Sequence, residues 1–397
     1  MKQKAGIIIG DSFTFPDGDA ATNRVYTYAK GLMGHNIEVH VICFRNDYLD
    51  KHAGETEGIR YYHPFAQTAR SPWFIVRRWN NIRKFFNTLR LFSEIRKEYE
   101  VWLVMAYTIR LYTQVFAYLM AKMAGATHVL ERSEHPFKSY KNKLSRLIFG
   151  RIRVAIEIIF SDRIFCISDY LMDFYRERGA SVGKLFKVPS TVDPSRFSGI
   201  HKRQVEQRYI CYSGSLTLMK DGVDILLRSF SRISPVFPDL LLILVGKADT
   251  VQDEHYFRNM VADLNIKEKV IFTGKIPRDI VPSYVCNAHV LALARPRSIV
   301  ADAGFPSKVS EYLSTGIPVV VTNVGEIPVY LTDNQNAFLS EPDSAEEFAA
   351  KLKAVLYNYP HAREVGLKGQ EIALGEFNYL FQAQRIIGYL AKSRPRK

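Results

Sequence analysis

The chain has 397 residues, 47% of them apolar and 24% charged, with a net charge of +14. That length exceeds one ordinary core and fits about two or three domains, and the composition excludes a disordered, collagen-like or repeat-biased chain. Four cysteines, Cys43, Cys166, Cys211 and Cys286, stand far apart with no C-x-x-C pair, which excludes a disulfide framework and a cysteine zinc site and suits a reducing cytoplasm.

In chain order, strand-like runs alternate with helix-like runs, the pattern of parallel α/β domains. In the first half the predicted strands cover 6–10, 37–44, 99–105, 127–131 and 163–168. Helical stretches cover 23–33, 80–97, 112–124 and 143–160, and Ser168 or Asp169 caps one more at 170–178. Residues 187–203 break the pattern with turn-forming clusters and read as a crossover between domains. The alternation then restarts. Strands are predicted at 209–214, 240–246, 270–274, 290–294 and 318–322, with helices at 222–233, 255–264 and 307–314 and a helical tail from Ser344. The longest apolar runs are strand length, short of the roughly 20 residues a spanning helix needs. The opening residues have a charged end but too short an apolar run for a signal peptide. Ligands of such sheets bind beyond the carboxyl ends of the strands.

Residues 1–200 carry 30 Lys/Arg and 19 Asp/Glu, so +11, and the remainder carries +3. A basic half points to an anionic partner: nucleic acid, anionic lipid or a phosphorylated substrate.

Five stretches can carry chemistry. Within 212–222, Gly214 ends a strand, and Lys220 precedes Asp221, Gly222 and a helix. A glycine there lets the backbone approach a phosphate, and the lysine adds a point charge; the plain alternative is a glycine turn with a solvated lysine. Within 301–322, the turn Gly304, Phe305, Pro306 opens a short helix carrying Lys308 and Glu311 at i, i+3. Lys308 can meet a phosphate while Glu311 accepts from a ribose diol, or the two form a surface ion pair. The turn around Gly18 can close over a phosphate or sugar; the nearby Asp17 and Asp19 supply too few oxygens for a metal. No G-x-G-x-x-G follows the first strand, against a dinucleotide dehydrogenase.

Glu131, Glu134 and His135 cluster after a strand, where a polar group can orient a sugar; taken alone, His135 reads as a surface or structural histidine. The other histidines show no H-x-x-x-H or H-E-x-x-H spacing, against a zinc hydrolase. Ile75, Trp79, Ile82, Phe86 and Leu89 step by 4, 3, 4, 3 along one helical face, with Arg77, Arg78, Arg83, Lys84 and Arg90 around it. A second basic run, 138–153, holds six Lys/Arg and no acid. Such surfaces attract anionic lipid heads; the alternative is an ordinary core-facing helix.

Together and in this order, these pieces resemble a family-4 (group 1) glycosyltransferase of the GT-B fold, over essentially the whole chain. The resemblance is strongest in 214–222, 244–246, 272–274 and 305–320, with residues 23–35, 165–168 and 188–197 adding to it. It implies an α/β architecture of two Rossmann-like parallel-sheet domains facing a central cleft. The expected divisions are an acceptor-side domain at 1–193, a linker at 194–207, a nucleotide-sugar domain at 208–375, and a terminal helix at 376–397 packing back on the first domain.

By the same resemblance, the chain moves a sugar from a nucleotide-diphosphate sugar to an acceptor with retention. Lys220 and the backbone near Gly214 would hold the diphosphate, Glu311 the ribose, and the turn of Gly274, Lys275 and Ile276 the base. Glu134 or His135 falls where the family places its polar residue near the sugar, and the choice stays open. Two positions depart from the family. Ala303 replaces the first glutamate of the E-x7-E motif, and Ser215 replaces an arginine after the loop glycine; Lys308 compensates.

No cofactor or metal is expected. The expected acceptor is a polyprenyl-diphosphate-linked glycan in bacterial surface-polysaccharide (lipopolysaccharide) synthesis. The expected setting is the cytoplasm, peripheral on the anionic inner membrane face. Competing readings are a sugar-nucleotide epimerase of the same fold, a noncatalytic nucleotide-sugar binder, and a basic nucleic-acid-binding protein. The last lacks a zinc knuckle or RNP-type motif, so no nucleic-acid partner is expected.

Overall fold

A computed structural model of the chain describes residues 2–137, 143–200, 202–218 and 220–392, the side chains of 143–149 excepted. The chain forms two units, Met1–Thr191 with Tyr379–Lys397, and Val192–Asn378. The first runs β1 (Lys4–Gly10), α1 (Ala20–Met33), β2 (Glu38–Cys43), β3 (Ala53–Thr56), β4 (Ile59–Tyr62), α2 (Phe74–Glu98), β5 (Glu100–Ala106), α3 (Leu111–Ala124), β6 (Thr127–Arg132), α4 (Lys143–Ile159), β7 (Arg163–Cys166), α5 (Asp169–Arg176) and β8 (Leu185–Lys187).

The strands of the first unit lie in the order β3-β4-β2-β1-β5-β6-β7-β8. All neighbours are parallel except β3 and β4. Ile7 pairs with His40 on one side and Val104 on the other, at the centre of the sheet. β1 and β5 are buried on both faces, which is why they read as unbroken apolar runs.

The second unit runs β9 (Tyr209–Ser213), α6 (Val223–Ile233), β10 (Leu241–Val245), α7 (Val251–Asp263), β11 (Val270–Gly274), α8 (Val281–Val285), β12 (Val290–Leu293), α9 (Ile299–Asp302), α10 (Ser307–Leu313), β13 (Val319–Thr322), α11 (Ile327–Tyr330), β14 (Phe338–Ser340), α12 (Ala345–Tyr357) and α13 (Tyr359–Leu374). Its sheet is parallel throughout, in the order β11-β10-β9-β12-β13-β14. That is the doubly wound order, whose switch point lies between β9 and β12. The expected parallel α/β architecture with two Rossmann-like sheets is borne out.

The divisions fall at 191/192 and 378/379, a few residues from the expected 193/194 and 375/376. The stretch expected as a linker, 194–207, belongs to the second unit and begins with a 3-10 turn, Pro194–Phe197, capped by the Asp193 side chain. α14 (Tyr379–Lys392) belongs to the first unit and packs on α1, where Ile386 and Leu390 join the core around Val25, Ala29 and Leu32.

α2 departs from an ordinary core-facing helix until its last turns, where Phe92 and Ile95 are buried. Its apolar stripe points outward, and Asn80, Lys84 and Thr88 are the buried residues of its middle turns. Of the basic run 138–153, residues 138–142 and the side chains of 143–149 lie outside what the structure describes. No helix among the described residues is long and apolar enough to cross a membrane.

Candidate functional site

In the second unit the candidate residues gather at the carboxyl ends of β9, β10 and β11 and the start of α10. β9 ends at Ser213, and Gly214 begins the loop to α6. Lys308, from the first turn of α10, lies directly over Gly214: a Cβ there would fall on Lys308 Cε and Nζ. Lys308 Nζ donates to Asp221 Oδ2 at 2.6 Å, and the Tyr212 hydroxyl sits between Asp221 Oδ2 at 2.9 Å and the Ser215 carbonyl at 2.8 Å. Tyr312, one α10 turn beyond Lys308, accepts the Ser213 N–H at 2.7 Å and so ties α10 to β9.

Asp221 is 2% exposed. Burial alone would raise its pKa, but the Lys308 ammonium outweighs this, helped by Arg295 and Lys220, and holds it at about 2. The lysine is thereby fixed, half-buried, beside the glycine loop, with one Asp221 oxygen engaged and Oδ1 without a hydrogen-bond partner among the described residues.

The backbone of the loop is partly committed. Gly214 N–H donates to the Val245 carbonyl at 2.8 Å and Leu216 N–H to Lys247 at 2.9 Å. Side chains therefore supply more of the cationic surface than a backbone cradle does. Gly246 packs against the Gly214 carbonyl and bridges to Gly274, so Gly214, Gly246 and Gly274 meet at the sheet end. Ile276 follows, half-buried, in the β11–α8 loop. Lys220 and Ser215 flank the same loop, Lys220 partly buried and Ser215 exposed.

Glu311, one turn past Lys308, lies 3.6 Å from Arg196, whose side chain comes from the 3-10 turn at 194–197. Phe305 differs from a ligand-facing side chain: it is 5% exposed and packs on Tyr330 and Phe377, so it anchors the loop from beneath. Gly304 and Pro306 are buried with it, and Ala303 is fully buried.

In the first unit the polar centre is Glu131, at the end of β6. Glu131 Oε1 accepts from Arg24 Nε and from Ser133 Oγ, both at 2.6 Å, and Oε2 accepts from the Tyr28 hydroxyl at 2.9 Å. Arg24 also donates to the Pro189 and Val188 carbonyls at 2.8 and 2.9 Å. Burial opposes the Arg24 charge, but Glu131 more than restores it and drives the guanidinium above its usual range. One buried ion pair thus joins α1, β6 and the segment after β8.

Of the two open candidates beyond β6, Glu134 is exposed. His135 is 6% exposed, ringed by Phe137, Tyr170 and Phe174, and its Nδ1 accepts the Phe137 N–H at 3.1 Å. That bond leaves the neutral ring's proton on Nε2. The Gly18 turn is closed by hydroxyls: Thr14 Oγ1 donates to the Asp17 carbonyl and Thr22 Oγ1 to the Thr14 carbonyl, each at 2.6 Å. Asp19 caps α1. No group of three metal-ligating side chains occurs among the described residues.

Asp221, Tyr212, Arg196 and Arg24 were not read as site residues from the sequence. A turn-forming Asp-Gly hides Asp221, and Arg196 lies in a stretch read as linker. Only the three-dimensional closure brings either to its partner.

Residues 195–371 match the family described as glycosyl transferases group 1. The chain is 23% identical over 289 residues to a GDP-mannose-dependent alpha-(1-6)-phosphatidylinositol monomannoside mannosyltransferase of Mycolicibacterium smegmatis, covering 69% of this chain and 73% of that one. It is 20% identical over 347 residues to a UDP-Gal:alpha-D-GlcNAc-diphosphoundecaprenol alpha-1,3-galactosyltransferase of Escherichia coli, covering 82% and 81%. Among solved structures, the sucrose-phosphate synthase of Thermosynechococcus elongatus superposes with a TM-score of 0.74 at 16% identity, covering 98% of this chain and 99% of that one. The resemblance and the fold class expected from the sequence are borne out.

Proposed function

We propose that the chain is a group 1 glycosyltransferase that uses a nucleotide sugar and transfers a hexosyl residue with retention onto a lipid-linked glycan in bacterial surface-polysaccharide synthesis. The observation that carries the reading is Lys308 held over Gly214 by Asp221 and Tyr212. A diphosphate laid on this loop meets Lys308 and Lys220, which oppose the charge that develops as the glycosidic bond breaks. Glu311, on the same face of α10, takes the ribose hydroxyls, and the turn from Gly274 to Ile276 takes the base. The cationic side chains supply the stabilisation a metal otherwise gives, so no metal is needed.

In the first unit, the Glu131–Arg24 pair fixes the start of the loop carrying Glu134 and His135, which line the sugar side. His135 is held by its aromatic ring contacts, which suits orienting a sugar hydroxyl better than shuttling protons. The lipid-linked acceptor is supported by the curated relatives, named for a phosphatidylinositol mannoside and a diphosphoundecaprenol acceptor. The +11 carried by residues 1–200 suits work in the cytoplasm at an anionic inner membrane face.

Calorimetric titration with UDP, GDP and ADP, each with and without an attached sugar and in EDTA, tests the donor site. One nucleotide is expected to bind selectively, with affinity unchanged by EDTA. Binding by none of them would remove the Lys308 loop from the reading. Release of an isomerised nucleotide sugar without acceptor would make the protein an epimerase instead.

A further inference from the structure

The first two-thirds of α2 are built inside out. There the face turned to the core is polar, and only in the last turns do Phe92 and Ile95 enter the core. Asn80 Nδ2 donates to Gln67 Oε1 at 3.1 Å, and Lys84 Nζ donates to the Phe44 carbonyl at 3.2 Å and Asn46 Oδ1 at 2.7 Å. Asn80, Lys84 and Thr88 are 6%, 2% and 0% exposed. The opposite face is apolar and bare: Ile75 is 80% exposed, Trp79 57%, Ile82 48% and Phe86 61%. Trp73, just before the helix, is 73% exposed.

A helix packed on a water-soluble core shows the reverse arrangement, and an apolar patch of this kind marks an interaction surface. At about 100° per residue, Arg78 flanks the stripe on one side and Arg83 and Arg90 on the other. Beside the first turn of α2, a pocket of about 390 Å³ is lined in part by Asn46, Arg70, Ser71, Arg77 and Arg78, with no acidic residue in its wall.

We infer that this face is a docking surface for an anionic phospholipid bilayer. The apolar stripe lies below the headgroups, and the flanking arginines and their pocket pair with lipid phosphates. Charge and apolarity together select this occupant. A nucleic acid would satisfy the arginines and leave the stripe in water. A second copy, meeting the patch through a two-fold, would set arginine rows against each other. The inference deepens the lipid-linked-acceptor reading by naming the element that reaches the membrane.

The tryptophans make the test direct, because Trp79 lies on the stripe, Trp73 is exposed just before it, and the third, Trp102, is buried at 4% exposure. The full chain is floated with phosphatidylcholine vesicles with and without about 30 mol% phosphatidylglycerol, at about 50 and about 300 mM salt, with brominated acyl chains as quencher. The protein is expected to float with the anionic vesicles, with tryptophan emission shifted to the blue and quenched by the bromines. The triple variant Ile75→Ser, Ile82→Ser, Phe86→Ser should lose about tenfold or more in partitioning at both salt levels. Arg70→Ser, Arg78→Ser, Arg83→Ser should lose chiefly the salt-sensitive part. All six side chains are exposed, so both variants should keep the wild-type circular dichroism.

Absence of flotation at low salt overturns the inference, and so does flotation without quenching, which would mean contact by charge alone. A concentration-dependent dimer abolished by the apolar triple variant, without vesicle binding, would assign the face to a second copy. Nucleotide titration of the same preparation keeps the readings apart: nucleotide bound with vesicles unbound sinks the docking surface alone.

Discussion

The Lys308–Asp221 pair sets the charge beside the Gly214 loop through two residues with different tasks. Lys308 faces the space over Gly214, whereas Asp221 acts through Lys308 and Tyr212. Lys308→Ala and Lys220→Ala should each lower turnover by tens-fold or more, the usual size of one electrostatic contribution; steady-state kinetics of transfer measure it, and near-normal turnover would remove that lysine from the mechanism. Asp221 has a pH signature of its own. Its folded pKa of about 2 lies below the ordinary 3.8, so its contribution is present above pH 3.8 and is lost as pH falls through 2. The stability advantage of the native protein over Asp221→Asn, read by denaturant unfolding, should narrow by about 2 kcal/mol between pH 5 and 2. A pH-independent difference would mean that the carboxylate charge is not what holds Lys308. Lys308 was legible in the sequence because the turn and helix around it form a recognisable run. Asp221 was not, because a residue between Lys220 and a helix-starting glycine shows nothing of a partner 87 positions away.

At the scale of elements, long apolar strands such as β1, β5 and β10 were plain in the sequence because both faces are buried. The β3–β4 pair was not, since its half-exposed residues form no apolar run, and β8 and β14 are three residues each. For α2 the periodicity gave the apolar stripe correctly but not its direction: a repeat of 4 and 3 says which residues share a face, not what that face meets. The resemblance implies a terminal helix packed back on the first domain, but the seat of α14 on α1 was hidden, because it depends on a close approach. A Cβ on Gly31 would lie 2.7 Å from the Tyr379 carbonyl and 2.8 Å from Ala383 Cβ. Gly31→Val should therefore force the two helices apart and destabilise the first unit by about 1–3 kcal/mol, read as an earlier transition in thermal or denaturant unfolding. Unchanged stability would show that α14 can shift at no cost.

Over the whole molecule, both units hide neutral imidazoles. Burial pushes His40 and His289 down to about 4 and His128 to about 3, and neither ring nitrogen of His128 finds a hydrogen-bond partner among the described residues. Below the ordinary 6.5, the unfolded chain takes up protons that these side chains refuse, so stability is full above that pH and falls as pH drops toward 4. Each histidine contributes a slope of roughly 1.4 kcal/mol per pH unit within its window. Denaturant midpoints should drop clearly from pH 7 to pH 5, and His128→Leu should flatten the fall; equal midpoints at both pH values would contradict it. The two-sheet organisation was readable from the alternation of runs, whereas the exact handover between units was not, because turn-rich residues look alike whether they join domains or cap a helix.

The return of α14 to the first unit has a consequence in time rather than in space. A ribosome delivers residues in order, at about 5–20 per second. The side of α1 that Ile386 and Leu390 cover is thus made early and covered late, after the whole of Val192–Asn378 has been translated. Until then the nascent first unit carries an unsealed apolar seam, a natural foothold for a chaperone.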